Sequence, residues 1–336
     1  MTIQDFKSDQ EVRWCPGCGD HAVLASLQRT LPAVSDELGI EKERFVVVSG
    51  IGCSSRLPYY MDTYGFHSIH GRATAISTGI KVANPWLTVW QACGDGDALA
   101  IGGNHFIHAI RRNVDINIVL FNNRIYGLTK GQYSPTSKFG AITKTSPYGT
   151  VEHPFNPGSL VLGAKGTFFA RSLDVELKLN EEIMTAAALH DGASVMEMLT
   201  NCVIFNDGAH KSISDPATRA DRTITLRHGE KMIFGKDRNK GLVLDGLGLK
   251  VVTIGEDGYT EDDILVHDAH CENAGIHMML AEMKYPDFPV ALGVIRDVKD
   301  VTYDDGVRDQ VKDVMLKSKI HCVDDLLNSG STWEVK

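Results

Sequence analysis

The sequence has no apolar run approaching the roughly 18 residues that cross a bilayer, and its opening, MTIQDFKSDQ, lacks the charged-then-apolar order of a secretory signal. The expectation is therefore a cytoplasmic chain with no membrane partner. Positive charge is not in excess either: 34 Lys and Arg stand against 43 Asp and Glu, for a net charge of −9, and no basic run interrupts that balance. Such a surface is repelled by phosphate backbones, which excludes nucleic acid as an expected partner. No GxGxxG follows an apolar run, so the turn that would bind a nicotinamide cofactor is missing. Internal repeats and low-complexity tracts are absent, as is the compact CxxCxxC run of small ferredoxins. Seven cysteines in a chain of this type do not form a disulfide framework, because a reducing compartment keeps thiols free; they are structural thiols, redox groups or metal ligands.

The 336 residues, 43% hydrophobic and 23% charged, suffice for a large core. Val23, Leu24, Leu27, Leu31 and Val34 form one stripe of a helix over 20–38, which Asp20 opens and Gly39 closes. An apolar strand at 45–52, a small-residue helix at 72–83 and a strand at 87–93 follow. A helix at 98–113 then leads to a strand at 115–121, and this βαβ order implies a parallel sheet. Residues 125–157, rich in Gly, Ser, Thr, Pro and Tyr, are longer than an ordinary connection and are expected to form a functional loop. A helix at 175–190 and a strand at 193–199 extend the sheet. Beyond them, 206–250 reads as polar and irregular, and the rest as weakly α/β. The expected organisation is a binding domain over 1–205 and a C-terminal α/β extension over 206–336. In fold class this is a mostly parallel α/β sheet with helices on both faces.

Gly94-Asp95-Gly96-Asp97 follows a strand and opens a helix, so its glycines allow close approach of a phosphate at the positive helix end. Asn122 and Asn123 stand at the end of the next parallel strand, sharing one crevice with Asp95. Hard oxygen donors there suit Mg²⁺ or Ca²⁺ bridging to a diphosphate. GDG by itself is equally a tight turn. GDG, helix, strand and NN in this order resemble the thiamine diphosphate signature. That resemblance makes Asp95, the Asn123 side chain and the Ile125 carbonyl the Mg²⁺ ligands.

Cys15 and Cys18 lie within chelating distance in WCPGCG, which alone fits half a zinc ribbon, a redox dithiol or part of an iron–sulfur centre. Cys53, in SGIGCSSR, and Cys202 each follow a strand, and together the four number what a [4Fe–4S] cluster needs. Cys93, Cys271 and Cys322 have no close partner and read as small core residues.

Together WCPGCG, SGIGCSSR, GFHSIHGRA, CGDGDALAIGGNHFIHAIRRN, FNNRIYGLTKGQYSPT and NCVIFN, over roughly residues 13–206, resemble the β subunits of 2-oxoacid:ferredoxin oxidoreductases, particularly the 2-oxoglutarate branch. The resemblance implies the thiamine-diphosphate-binding fold and makes Cys15, Cys18, Cys53 and Cys202 the [4Fe–4S] ligands. It implies a cofactor pocket built from Gly52, Cys53, His70, Gly71, Arg72, Gly94, Asp95, Gly96, Asp97, Asn123, Ile125, Gly127, Leu128 and Thr129. Leu128 also belongs to the expected substrate wall. The implied reaction is oxidative decarboxylation of 2-oxoglutarate with coenzyme A to succinyl-CoA and CO₂, reducing ferredoxin. An α subunit with a fused γ domain, in an αβ or α₂β₂ assembly, supplies the rest of the site. Arg56 and Lys130 are expected at the substrate end, where a second carboxylate needs a second positive group. Pyruvate or broad-range relatives, a non-redox thiamine diphosphate decarboxylase and a zinc-stabilised assembly subunit are the alternatives. His67, His105 and His108 have no third ligand nearby and are not read as metal sites.

Overall fold

The computed structural model describes residues 1–335. Helix α1 (Asp20–Leu38) ends as the sequence predicts, with Gly39 in the left-handed region at φ 62°, which only glycine adopts without penalty. Strands β1 (Phe45–Ser49), β2 (Tyr64–His67), β3 (Thr88–Gly94), β4 (Asn117–Asn122), β5 (Phe168–Leu173) and β6 (Ser194–Leu199) alternate with helices α2 (Ala73–Ala83), α3 (Gly103–Arg111), α4 (Pro157–Gly163) and α5 (Leu177–Leu189). They build an eight-stranded sheet ordered β2-β1-β3-β4-β6-β5, completed by two later strands. Those six strands run parallel.

The inner strands are buried along their whole length because both faces of the sheet are covered. Alternate residues enter opposite cores. Val46 and Val48 of β1 pack with Phe106 and Ile110 of α3, while Phe45 and Val47 pack with Leu27 and Leu31 of α1 and Met184 of α5.

Three differences from the sequence reading have local causes. The helix expected at 98–113 is split: Asp97–Ile101 is a widened π-type turn, and α3 begins only at Gly103. The Gly71 backbone packs closely against this turn, so that a Cβ on Gly71 would lie 2.4 Å from the Gly102 nitrogen. Strand β2 escapes a pattern-based reading because all four of its residues are exposed. The stretch 206–250 is not irregular. It supplies β7 (Thr223–Leu226), β8 (Ile233–Phe234) and most of a hairpin, β9 (Lys240–Asp245) with β10 (Gly248–Thr253). Strand β11 (Val290–Asp297) lies antiparallel to β5 and parallel to β7, so residues beyond 205 complete the main sheet. No helix among the described residues is long and apolar enough to cross a membrane.

Candidate active site

The carboxyl ends of β2, β1, β3 and β4 are neighbours in the sheet, and a cavity of about 400 Å³ opens among the loops that leave them. Gly52, Cys53, His70, Gly94, Asp95 and Gly96 line it, as do Asp97, Asn123, Ile125, Gly127, Leu128 and Thr129. All twelve are sequence-predicted site residues. Ile51, Ile101 and Phe121 add an apolar wall.

Asp95, at the end of β3, is buried. Its Oδ2 accepts from the hydroxyls of both Ser134 and Thr136, and among the described residues no side chain donates to Oδ1. Burial pushes its carboxyl up to about 6 against the pull of those two hydroxyls, so a cation is the natural complement at this position. Asn123 Oδ1 accepts from the Ile125 N–H at 3.1 Å, which turns the chain so that the Ile125 segment enters the cavity. Asn122 does not share that role; it donates to Glu197 at 2.7 Å and accepts from Thr136 at 2.9 Å. The Asp97 carboxylate accepts N–H bonds from Gly71 and Ile51, stapling two loops beneath the cavity. Gly96 is required by packing, because a Cβ there would lie 2.2 Å from the Tyr126 ring, whose hydroxyl donates to the Gly96 carbonyl. A buried carboxylate, an amide oxygen and a glycine cradle at a strand end fit a metal-bridged diphosphate.

The cysteine loops meet at one corner of this cavity. Cys18 N–H bonds the Cys15 carbonyl at 3.0 Å, closing the CxxC turn, and Gly17 holds φ 82°. Trp14 Nε1 donates to the Cys53 carbonyl at 2.7 Å, and Gly19 N–H donates to Asn201, so the turn is tied to the ends of both β1 and β6. Asn206 Nδ2 donates to the Asn123 carbonyl, anchoring the Cys202 turn to β4. Cys53 Sγ and Cys202 Sγ lie 3.5 and 3.6 Å from where a Gly127 Cβ would sit. Burial pushes the Cys53 thiol up to about 11, with Asp20, Cys202 and Cys15 adding to the rise and Arg56 opposing it. Among the described residues no three His, Cys, Asp or Glu side chains converge closely enough for a single ion. Cys93 is buried in β3, and Cys271 and Cys322 are in the C-terminal third, with Cys322 capping a short exposed helix.

Four of the residues expected around the cofactor and substrate stand outside the cavity lining. The Gly71 N–H serves Asp97, and Arg72 pairs with His105. Arg56 lines a shallow recess with Arg13, Tyr59 and Tyr60. Lys130, exposed at φ 75°, closes a turn in which its N–H bonds the Gly127 carbonyl. Sequence reading missed Ser134 and Thr136, whose hydroxyls lie in SPTS about forty residues beyond the carboxylate they serve.

Residues 50–198 match the thiamine pyrophosphate enzyme family model, C-terminal TPP binding domain. The chain is 48% identical over 335 residues to the 2-oxoglutarate oxidoreductase subunit KorB of Mycobacterium tuberculosis, covering 99% of this chain and 88% of that protein. The chain belongs to the 2-oxoglutarate and 2-oxoacid oxidoreductase β-subunit family. As a member of it, the chain is 49% identical over 189 residues to the 2-oxoglutarate synthase subunit KorB of Archaeoglobus fulgidus, covering 56% of this chain and 69% of that one. It superposes with a TM-score of 0.75 and 32% identity on the 2-oxoglutarate:ferredoxin oxidoreductase of Magnetococcus marinus solved with 2-oxoglutarate, coenzyme A and succinyl-CoA bound, covering 98% of this chain and 95% of that one. The family resemblance carried by the sequence motifs is therefore borne out, as are the thiamine-binding fold and the class of enzyme.

Proposed function

We propose that this chain, with a partner subunit, carries out the coenzyme A-dependent oxidative decarboxylation of 2-oxoglutarate to succinyl-CoA and CO₂, passing electrons through a [4Fe–4S] cluster to ferredoxin. The observation that carries this reading is the convergence of the cysteine loops on the cavity that holds Asp95, Asn123 and the Gly96 cradle. Bound thiamine diphosphate would supply the nucleophilic carbon and the electron sink for loss of CO₂. Asp95, Asn123 and the Ile125 carbonyl would hold Mg²⁺ on its diphosphate, with Ser134 and Thr136 orienting the Asp95 carboxylate. Cys15, Cys18, Cys53 and Cys202 would each take one iron, since four thiolates are the number such a cluster requires. Lys130 and Arg56 are the cations proposed for the distal substrate carboxylate. The relatives named for 2-oxoglutarate support the dicarboxylate substrate.

The test is anaerobic analysis of the complex copurified with its partner. Four irons and four sulfides per chain, with 2-oxoglutarate and coenzyme A reducing ferredoxin, are expected. Zinc in place of iron, or full iron in Cys202→Ser, would overturn the cluster assignment. Equal turnover of pyruvate would overturn the substrate.

A further inference from the structure

A second cavity, of about 540 Å³, lies next to the cofactor site, and Thr136 forms part of its lining. The Thr136 hydroxyl lies within hydrogen-bond reach of Asp95 in the first cavity and of Asn122 in the second. The charged residues around this second cavity are Arg124, Lys138, Arg171, Lys284, Glu197 and Glu282, four cations against two carboxylates in a chain whose net charge is −9. Glu197 is already taken up: one oxygen accepts from Arg171 at 2.6 Å and the other from Asn122. Glu282 accepts from Ser159. Arg124 lines this cavity half-buried and makes no side-chain hydrogen bond or ion pair among the described residues. Its backbone sits in the left-handed region at φ 58°, a conformation that a non-glycine residue keeps where its surroundings impose it. The neighbouring His210 is buried and held neutral, first by burial and then by the charges of Arg124, Lys138 and Arg171.

Uncompensated positive charge in a half-buried cavity calls for an anion. We infer that this cavity binds a small organic phosphate, with the phosphate on Arg124, Lys138 and Lys284 and the body of the ligand against Phe155, Met283 and Tyr285. A guanidinium fork matches phosphate oxygens. A phosphate monoester carries close to two negative charges at neutral pH, which equals the charge excess of the lining. The volume is in the small-molecule range and far exceeds a bare phosphate ion. This inference does not depend on the reaction proposed above.

The experiment is calorimetric titration of glycerol 3-phosphate into the complex saturated with thiamine diphosphate, Mg²⁺ and coenzyme A, at constant ionic strength. Saturable binding is expected, weakened roughly tenfold or more in Arg124→Met and in Lys138→Met. Lys138 is exposed, so its variant reports binding even if Arg124→Met misfolds. Absence of binding, or equal affinity in Lys138→Met, would overturn the site. Succinate binding as tightly would overturn the phosphate assignment, and binding seen only without coenzyme A would return the cavity to the coenzyme's own site.

Discussion

Trp14 Nε1 donates to the Cys53 carbonyl oxygen at 2.7 Å, joining two cysteine loops that are 39 positions apart in the chain. The ring is itself fixed by edge contacts with His21 and Tyr60. One bond thus sets the distance between the CxxC turn and the end of β1. Trp14→Phe keeps most of the apolar ring and removes the donor. The expected cost is about 1 kcal/mol of stability, together with faster iron loss on exposure to air, followed by absorbance near 400 nm. Iron retention equal to the parent complex would show that the bond is incidental.

Asp95→Ala removes the buried carboxylate and leaves every thiol in place. Thiamine diphosphate content should fall to background while iron content is unchanged, both measured on the same purified complex. Thr136→Val, which removes one of the two hydroxyls on Oδ2, is expected to give a smaller loss of the same kind.

A Cβ at Gly96 would meet the Tyr126 ring at 2.2 Å, whereas one at Gly103 meets nothing within 4 Å. Gly96→Ala should therefore cost about 1–3 kcal/mol and weaken cofactor retention, and Gly103→Ala should leave retention unchanged. Thermal unfolding with and without thiamine diphosphate checks both.

Substrate choice tests the two cations. If Lys130 or Arg56 pairs with the distal carboxylate, its replacement by Met should lower kcat/KM for 2-oxoglutarate by roughly ten- to a hundredfold and spare 2-oxobutyrate. Parallel losses on both substrates would remove that role.

His267 is buried with Nε2 against the Val294 carbonyl, and burial lowers its pKa from the ordinary 6.5 to about 4. The folded state holds it neutral while the unfolded chain protonates it. Its contribution to stability is therefore complete above about pH 6.5 and is lost as the pH falls toward 4, by at most roughly 3 kcal/mol. Melting temperatures of the complex between pH 8 and 5 should decline less steeply in His267→Gln.

The sequence alone determined the elements whose signals are local. Helix α1 with its Gly39 stop, the βαβ unit around GDGD, and the CxxC turn all depend on neighbours a few positions away, so composition and spacing suffice to read them. The spacing from Gly94 to Asn123 also carried cofactor recognition, because one helix and one strand separate the two and place both at the same sheet edge. The remaining features depend on how distant segments come together. The hydroxyls on Asp95, the meeting of Cys53 and Cys202 beside Gly127, and the insertion of β11 next to β5 all follow from strand order. Nothing local in the sequence singles out Arg124. It faces a cavity of unbalanced charge only because β5, β6 and residues near 284 close around it from distant parts of the chain.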